Sequence, residues 1–163
     1  MGKKLIIMGA DFTLNGIASG ELTFYNDYSD AVLNASNPFS SENTFHVLSS
    51  ELSRLNLSGK TIRYVKLYAK QAGTIRIGTY SGSGATVSGD TSYQVTVGVN
   101  IITLVAPITI NSTHLPAFTG MNILSFWTDN DDTKGWKFGR VNSTSTYPNN
   151  RIPISFGAIV SPQ

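Results

Sequence analysis

From Gly59 onward, hydrophobic residues tend to alternate with polar ones, the period that sends one side of an extended strand inward and the other to solvent. Thr61 to Lys70 is rich in Ile, Tyr, Val and Leu, and Gly73 to Tyr80 sets Ile75 and Ile77 against Thr74 and Arg76. With Lys70-Gln71-Ala72-Gly73 as the turn, these two segments predict a hairpin. Tyr93, Val95, Val97 and Val99 share the next strand face, Asn100 turns the chain, and Ile102 and Leu104 continue it. Pro107 cannot donate to a ladder, so it marks an edge, a bulge or a strand start before Ile108 and Ile110. Asn122 to Thr128 predicts an apolar strand carrying Trp127, and Trp136 to Val141 another. The last strand has the cleanest alternation, with Ile152, Ile154, Phe156, Ala158 and Val160 against Pro153, Ser155, Gly157 and Ile159.

The N-terminal third is less regular. Lys4 to Met8 predicts a short first strand ended by Gly9, and Leu22 to Tyr25 a second. Residues 26–43 are polar and turn-rich and read as a long surface loop containing Pro38. Phe45, Leu48, Leu52 and Leu55 recur at helical spacing, which fits a short helix or, equally, a strand pair with Ser-rich turns. Residues 81–92 read as a glycine-rich connection, with neither a phosphate-loop lysine nor dinucleotide-binding spacing. Short strands at intervals of about 8–12 residues describe a sandwich or barrel. The expected architecture is all-β: a single-domain, jelly-roll-like antiparallel β-sandwich over residues 21–163, preceded by a leader strand within residues 1–20.

Composition narrows the function classes. The chain has 163 residues with 40% hydrophobic content, enough for one buried core. Charged residues are only 13%, and Ser, Thr, Asn and Gly fill the polar positions, as in a β-rich surface protein. A net charge of +2 gives no basis for a nucleic-acid partner, and Lys3, Lys4, Lys60, Arg63, Lys66, Lys70 and Arg76 read as solvated strand edges. Without cysteine, disulfides, thiolate metal sites and cysteine nucleophiles are excluded. The run Leu5-Ile6-Ile7-Met8 is shorter than a signal-peptide core, and no segment approaches the ~18 apolar residues of a membrane span. No export signal and no membrane partner are expected.

Candidate chemistry is sparse. His46 and His114 belong to no metal-binding spacing, and no Gly-x-Ser-x-Gly elbow precedes a helix. No catalytic residue and no cofactor are expected. The one acidic cluster is Asp129-Asn130-Asp131-Asp132. Asp129, Asp131 and Asp132 form a weak calcium candidate, because Lys134 occupies the position where a calcium loop needs glycine. The cluster lies between Trp127 and Trp136, the only tryptophans. An aromatic platform beside carboxylate and amide groups suits a sugar, so Trp127, Asp129, Asn130, Asp131 and Trp136 form a candidate glycan site. Within it, Trp127 is expected in the core and Trp136 at the surface.

The opening Lys3-Lys4-Leu5-Ile6-Ile7-Met8-Gly9-Ala10-Asp11-Phe12, with Gly16-Ile17, resembles a leader in structural proteins of tailed phages and prophages of gut Bacteroidales, including crAss-like phages. Ala72 to Gly78, Val95 to Leu104 and Pro107-Ile108 are similar to jelly-roll modules of those proteins, which look like carbohydrate-binding domains. The resemblance implies a virion surface protein made in the host cytoplasm: a capsid decoration, head-fibre or tail-associated component. The expected partners are other virion proteins and further copies of itself, with a trimer favoured; the alternative function is a carbohydrate-binding module that recognises host or mucosal glycans. Leu5, Ile6, Ile7, Met8 and Phe12 of the leader are the candidate assembly residues, since an unpaired terminal strand satisfies its backbone by adding to a neighbour's sheet.

Overall fold

A computed structural model describes residues 20–29, 33, 37–38, 44–83, 87–120, 122–128, 136–141 and 146–160. The strands are β1 (Glu21–Phe24), β2 (Asn37–Pro38), β3 (Phe45–Val47), β4 (Thr61–Ala69), β5 (Gly73–Tyr80), β6 (Val87–Val95), β7 (Gly98–Thr109), β8 (Leu115–Thr119), β9 (Ser125–Thr128), β10 (Trp136–Arg140), β11 (Thr146–Ile152) and β12 (Ser155–Val160). One helical turn, α1 (Glu51–Arg54), follows β3. A four-stranded sheet in the order β1-β12-β4-β7 packs on an eight-stranded sheet in the order β2-β9-β11-β10-β3-β8-β5-β6. Every pairing among the described residues is antiparallel, and the fold is an all-β sandwich.

Aromatic rings join the two sheets. Trp136 of β10 lies 6.0 Å from Phe118 of β8 and 6.0 Å from Phe156 of β12, centroid to centroid, so the cluster spans the interlayer space. Phe45 meets Phe138 edge-on at 4.9 Å, the arrangement favoured by the ring quadrupoles. Ile62, Val65, Leu67, Ile75, Ile102 and Leu104 fill the space around them.

Several local expectations are revised by pairing over long sequence distances. The segments read as a hairpin, β4 and β5, lie in different sheets: β4 pairs with β12 and β7, and β5 with β6 and β8. The turn at residues 70–72 is therefore a crossover between layers. The final alternating run is also divided, because β11 ends at Ile152 in the eight-stranded sheet and β12 begins at Ser155 in the four-stranded one. All residues from Ile152 to Ala158 are buried, since the chain crosses the interior there instead of lying on one face. Residues 87–92, read as loop, belong to β6.

The segment read as a surface loop contributes Asn26, Tyr28 and Leu33 to the interior. Asn26 acts as a side-chain continuation of the ladder: its Nδ2 donates to the Ile154 carbonyl at 2.8 Å, and its Oδ1 accepts from the Phe156 N–H at 2.8 Å. An amide that reproduces a peptide's donor and acceptor keeps buried backbone groups satisfied where the strand has ended. Of the two readings for residues 45–55, each holds over part of the segment. Phe45–Val47 is a strand and Glu51–Arg54 a helix, closed by Asn56 at φ 53° with the Leu57 N–H bonded to the Leu52 carbonyl. The Glu51 carboxylate accepts from the Lys137 N–H at 3.0 Å, tying the helix to β10.

Candidate functional site

Trp136, expected at the surface, is fully buried at 0% exposure, and its Nε1–H donates to the Ile154 carbonyl at 3.1 Å. A ring enclosed by Phe118 and Phe156 has no free face for a pyranose, which removes it from the sugar platform. Trp127 lies in β9, opposite Arg151 of β11. Asp129, Asn130, Asp131 and Asp132, with the calcium reading, fall outside the described residues, as do Leu5, Ile6, Ile7, Met8 and Phe12 of the leader. Among the described residues, no three His, Cys, Asp or Glu side chains gather as a metal site.

The two histidines are separated in the fold. His46 is buried on β3, with Nδ1 2.9 Å from the Val47 carbonyl and its ring 4.4 Å from that of Tyr80. A carbonyl can only accept, so Nδ1 is the protonated nitrogen in that bond. Burial pushes the imidazole pKa below its usual range, against the raising effect of the Val47 bond. Gly139 lies opposite, where a Cβ would come within 2.6 Å of His46 Nε2, so the close ring contact requires glycine there. His114 sits at the surface in the turn after β7, with Nδ1 3.3 Å from Asn111 Oδ1.

Unusual geometry concentrates on the flank where β6 and β7 meet. These strands form one edge of each sheet and are joined by only Thr96 and Val97. Although Asn100 does not itself turn the chain, its side chain clamps the turn. It accepts from the Thr96 N–H at 3.1 Å and donates to the Thr96 and Gly98 carbonyls, both at 2.8 Å. Beyond this crossover turn both strands bulge. In β7, Ile108 pairs with Ile62 and Thr103 with Tyr64, so residues 104–107 face the single Arg63. In β6, Thr91 pairs with Ile77 and Ser88 with Thr79, so Gly89 and Asp90 face the single Gly78. Gly89 has φ +64°, the left-handed conformation that favours glycine in a bulge of this kind.

The facing bulges hold open a cleft of about 270 Å³ between the layers. Ile77, Leu104 and Ile108 supply apolar lining, Tyr93 an aromatic ring, and Thr79, Ser88, Thr91, Thr109 and Asn111 polar groups. The Tyr93 hydroxyl spans the gap and accepts from the Val105 N–H at 3.0 Å. Sequence reasoning left Pro107 as an edge, a bulge or a strand start, of which the structure shows a bulge in an edge strand, and passed over Gly89 as a loop residue. A lone glycine next to strand-forming residues is itself a bulge signal.

The outer surface of the same flank is apolar. β7 carries no charged residue over its 12 positions, and Val99, Ile101 and Val105 are exposed, with Val105 at 78%. Val97, in the turn between β6 and β7, is 62% exposed. Tyr68, Lys66 and Tyr64 of β4 lie beside Val99, Ile101 and Thr103. Lys66 sits 4.9 Å above the Phe24 ring of β1 and pairs with Asp27, so the charge nearest this surface has partners. No protein-family model, curated protein or solved structure was found to match the chain.

Proposed function

We propose that this chain is a structural protein that works by assembly, a virion surface component of the decoration, head-fibre or tail-associated kind suggested by its leader, with β7 as the strand that receives a neighbouring copy. The observation that carries the reading is that, among the described residues, no strand pairs with the outer side of β7. Edge strands are ordinarily blunted by charge, shortness or bulges, because their unpaired N–H and C=O groups template further pairing. β1 is 4 residues long and includes Glu21, and β6 is interrupted by Gly89 and Asp90. β7 is bulged only at 104–107, which leaves Gly98 to Thr103 as a regular, uncharged edge beside exposed Val99 and Ile101.

The fitting occupant is the leader of another copy. Leu5-Ile6-Ile7-Met8 is a short apolar strand former, and its addition to β7 would satisfy the open backbone while covering Val99 and Ile101. Donation of a segment to a different surface on the next copy is a head-to-tail contact, which gives a ring such as a trimer where the rotation closes and an open filament where it does not. Light scattering coupled to size exclusion tests this. The intact chain is expected to form a closed oligomer and to co-purify with assembled particles. Val99→Lys combined with Ile101→Lys, or deletion of residues 1–12, is expected to give a monomer whose sandwich still melts cooperatively. A monomeric intact chain, or an oligomer that survives both changes, would overturn the reading.

A further inference from the structure

We propose that the cleft between the β6 and β7 bulges is a binding site for a neutral saccharide. This goes beyond assembly through β7, because the cleft opens between the sheets while Val99 and Ile101 occupy the outer face. The chemistry of the walls selects the ligand class. No Asp, Glu, Lys or Arg lines the cleft, and its one imidazole, His114, has Nδ1 turned to Thr113 and Asn111, so a charged ligand would lose hydration without meeting a fixed counter-charge. A purely apolar ligand would leave the hydroxyls on the wall unused: Thr79 donates to the Ser88 carbonyl, Thr91 to the Gly89 carbonyl, and Thr109 pairs with Thr61, yet each oxygen keeps a lone pair that a ligand hydroxyl can meet.

A sugar ring matches both parts of the lining. Its C–H face suits the apolar surface provided by Leu104, Ile108 and Tyr93, and each of its hydroxyls, like those of Ser and Thr, both donates and accepts. The bulges add backbone groups: residues 104–107 face only Arg63 across the β4 ladder, and Gly89 and Asp90 only Gly78 across the β5 ladder. Asp90 is drawn toward Arg76, with its carboxylate 3.2 Å from Nε. A volume of about 270 Å³ lies at the small end of ligand pockets, suited to one terminal sugar residue. A ligand of that size in an open cleft binds at roughly millimolar strength, so display on an oligomer would supply the avidity.

The test is amide-shift mapping on the intact, isotope-labelled chain. It is titrated separately with the methyl glycosides of glucose, galactose, mannose, fucose and N-acetylglucosamine, with sialic acid as a charged comparison and a peptide of residues 1–12 as the competing occupant. At least one neutral glycoside is expected to shift amides of Ser88 to Thr91 together with those of Ala106 to Thr109, more strongly than sialic acid does. Ala106→Trp, which fills the cleft from the β7 side, is expected to abolish those shifts, and Ser88→Tyr to do so from the β6 side. The Val99→Lys, Ile101→Lys pair should leave the shifts intact, so failure of the assembly reading and failure of this one are told apart. The proposal is overturned by no shift with any neutral glycoside, by shifts elsewhere or in both filled variants, or by cleft shifts produced only by sialic acid or the peptide.

Discussion

The ring cluster around Trp136 and the flank formed by β6 and β7 both contain apolar and aromatic side chains, put to opposite use. In the cluster, Trp136, Phe118 and Phe156 are all fully buried, and the indole N–H is bonded to the Ile154 carbonyl. On the flank, Val97, Val99, Ile101 and Val105 remain exposed, and the Tyr93 hydroxyl holds a single backbone N–H across an open cleft. The difference shows that aromatic or aliphatic identity does not mark a binding surface. What marks one is apolar area that the fold leaves uncovered, next to strand edges that it leaves open.

The comparison breaks first at Trp136. If the ring is a packing element, Trp136→Ala should destabilise the fold by ~3–5 kcal/mol in chemical denaturation, the usual range for truncating a core aromatic. A loss below about 1 kcal/mol would place the ring outside the core. On the flank, Tyr93→Phe keeps the ring and removes one hydrogen bond, so a loss of about 1 kcal/mol is expected. Amide exchange should quicken at Val105 and stay unchanged in β10; unaltered exchange at Val105 would show that the phenol does not hold the strand.

The smallest effect concerns His46, buried on β3 of the eight-stranded sheet. Its folded pKa is depressed below 6.5, so the unfolded chain takes up a proton more readily as pH falls below that value. Stability from this group is fully present above about pH 6.5, falls as pH drops toward the depressed folded pKa, and levels off below it. Thermal melts across this window should show the decline in the native sequence and a flatter profile in His46→Gln. An equal decline in both would assign the pH dependence to other groups.

Much of the strand content was legible in the sequence, because alternation is a local consequence of strand geometry. Thr61–Ala69, Gly73–Tyr80 and Ser155–Val160 all lie within segments where that period is visible. Asn26 was legible only as a strand breaker, since nothing adjacent in sequence indicates that its amide will bond to Ile154 and Phe156, more than 120 residues away. The candidate sugar platform failed at Trp136 for a similar reason. A tryptophan beside acidic residues has the same local signature whether it faces solvent or Phe118.

The sequence by itself determined the all-β class, the absence of thiol chemistry, and an uncharged stretch from Gly98 to Thr109. Only the tertiary structure decided that β4 and β5 part into different sheets, that Trp136 is enclosed, and that the bulges at Gly89 and at 104–107 face each other across a cleft. Strand propensity and alternation follow from the covalent chain over a few residues. Partner choice follows from filling one shared interior and satisfying every buried N–H and C=O, which couples residues throughout the chain at once.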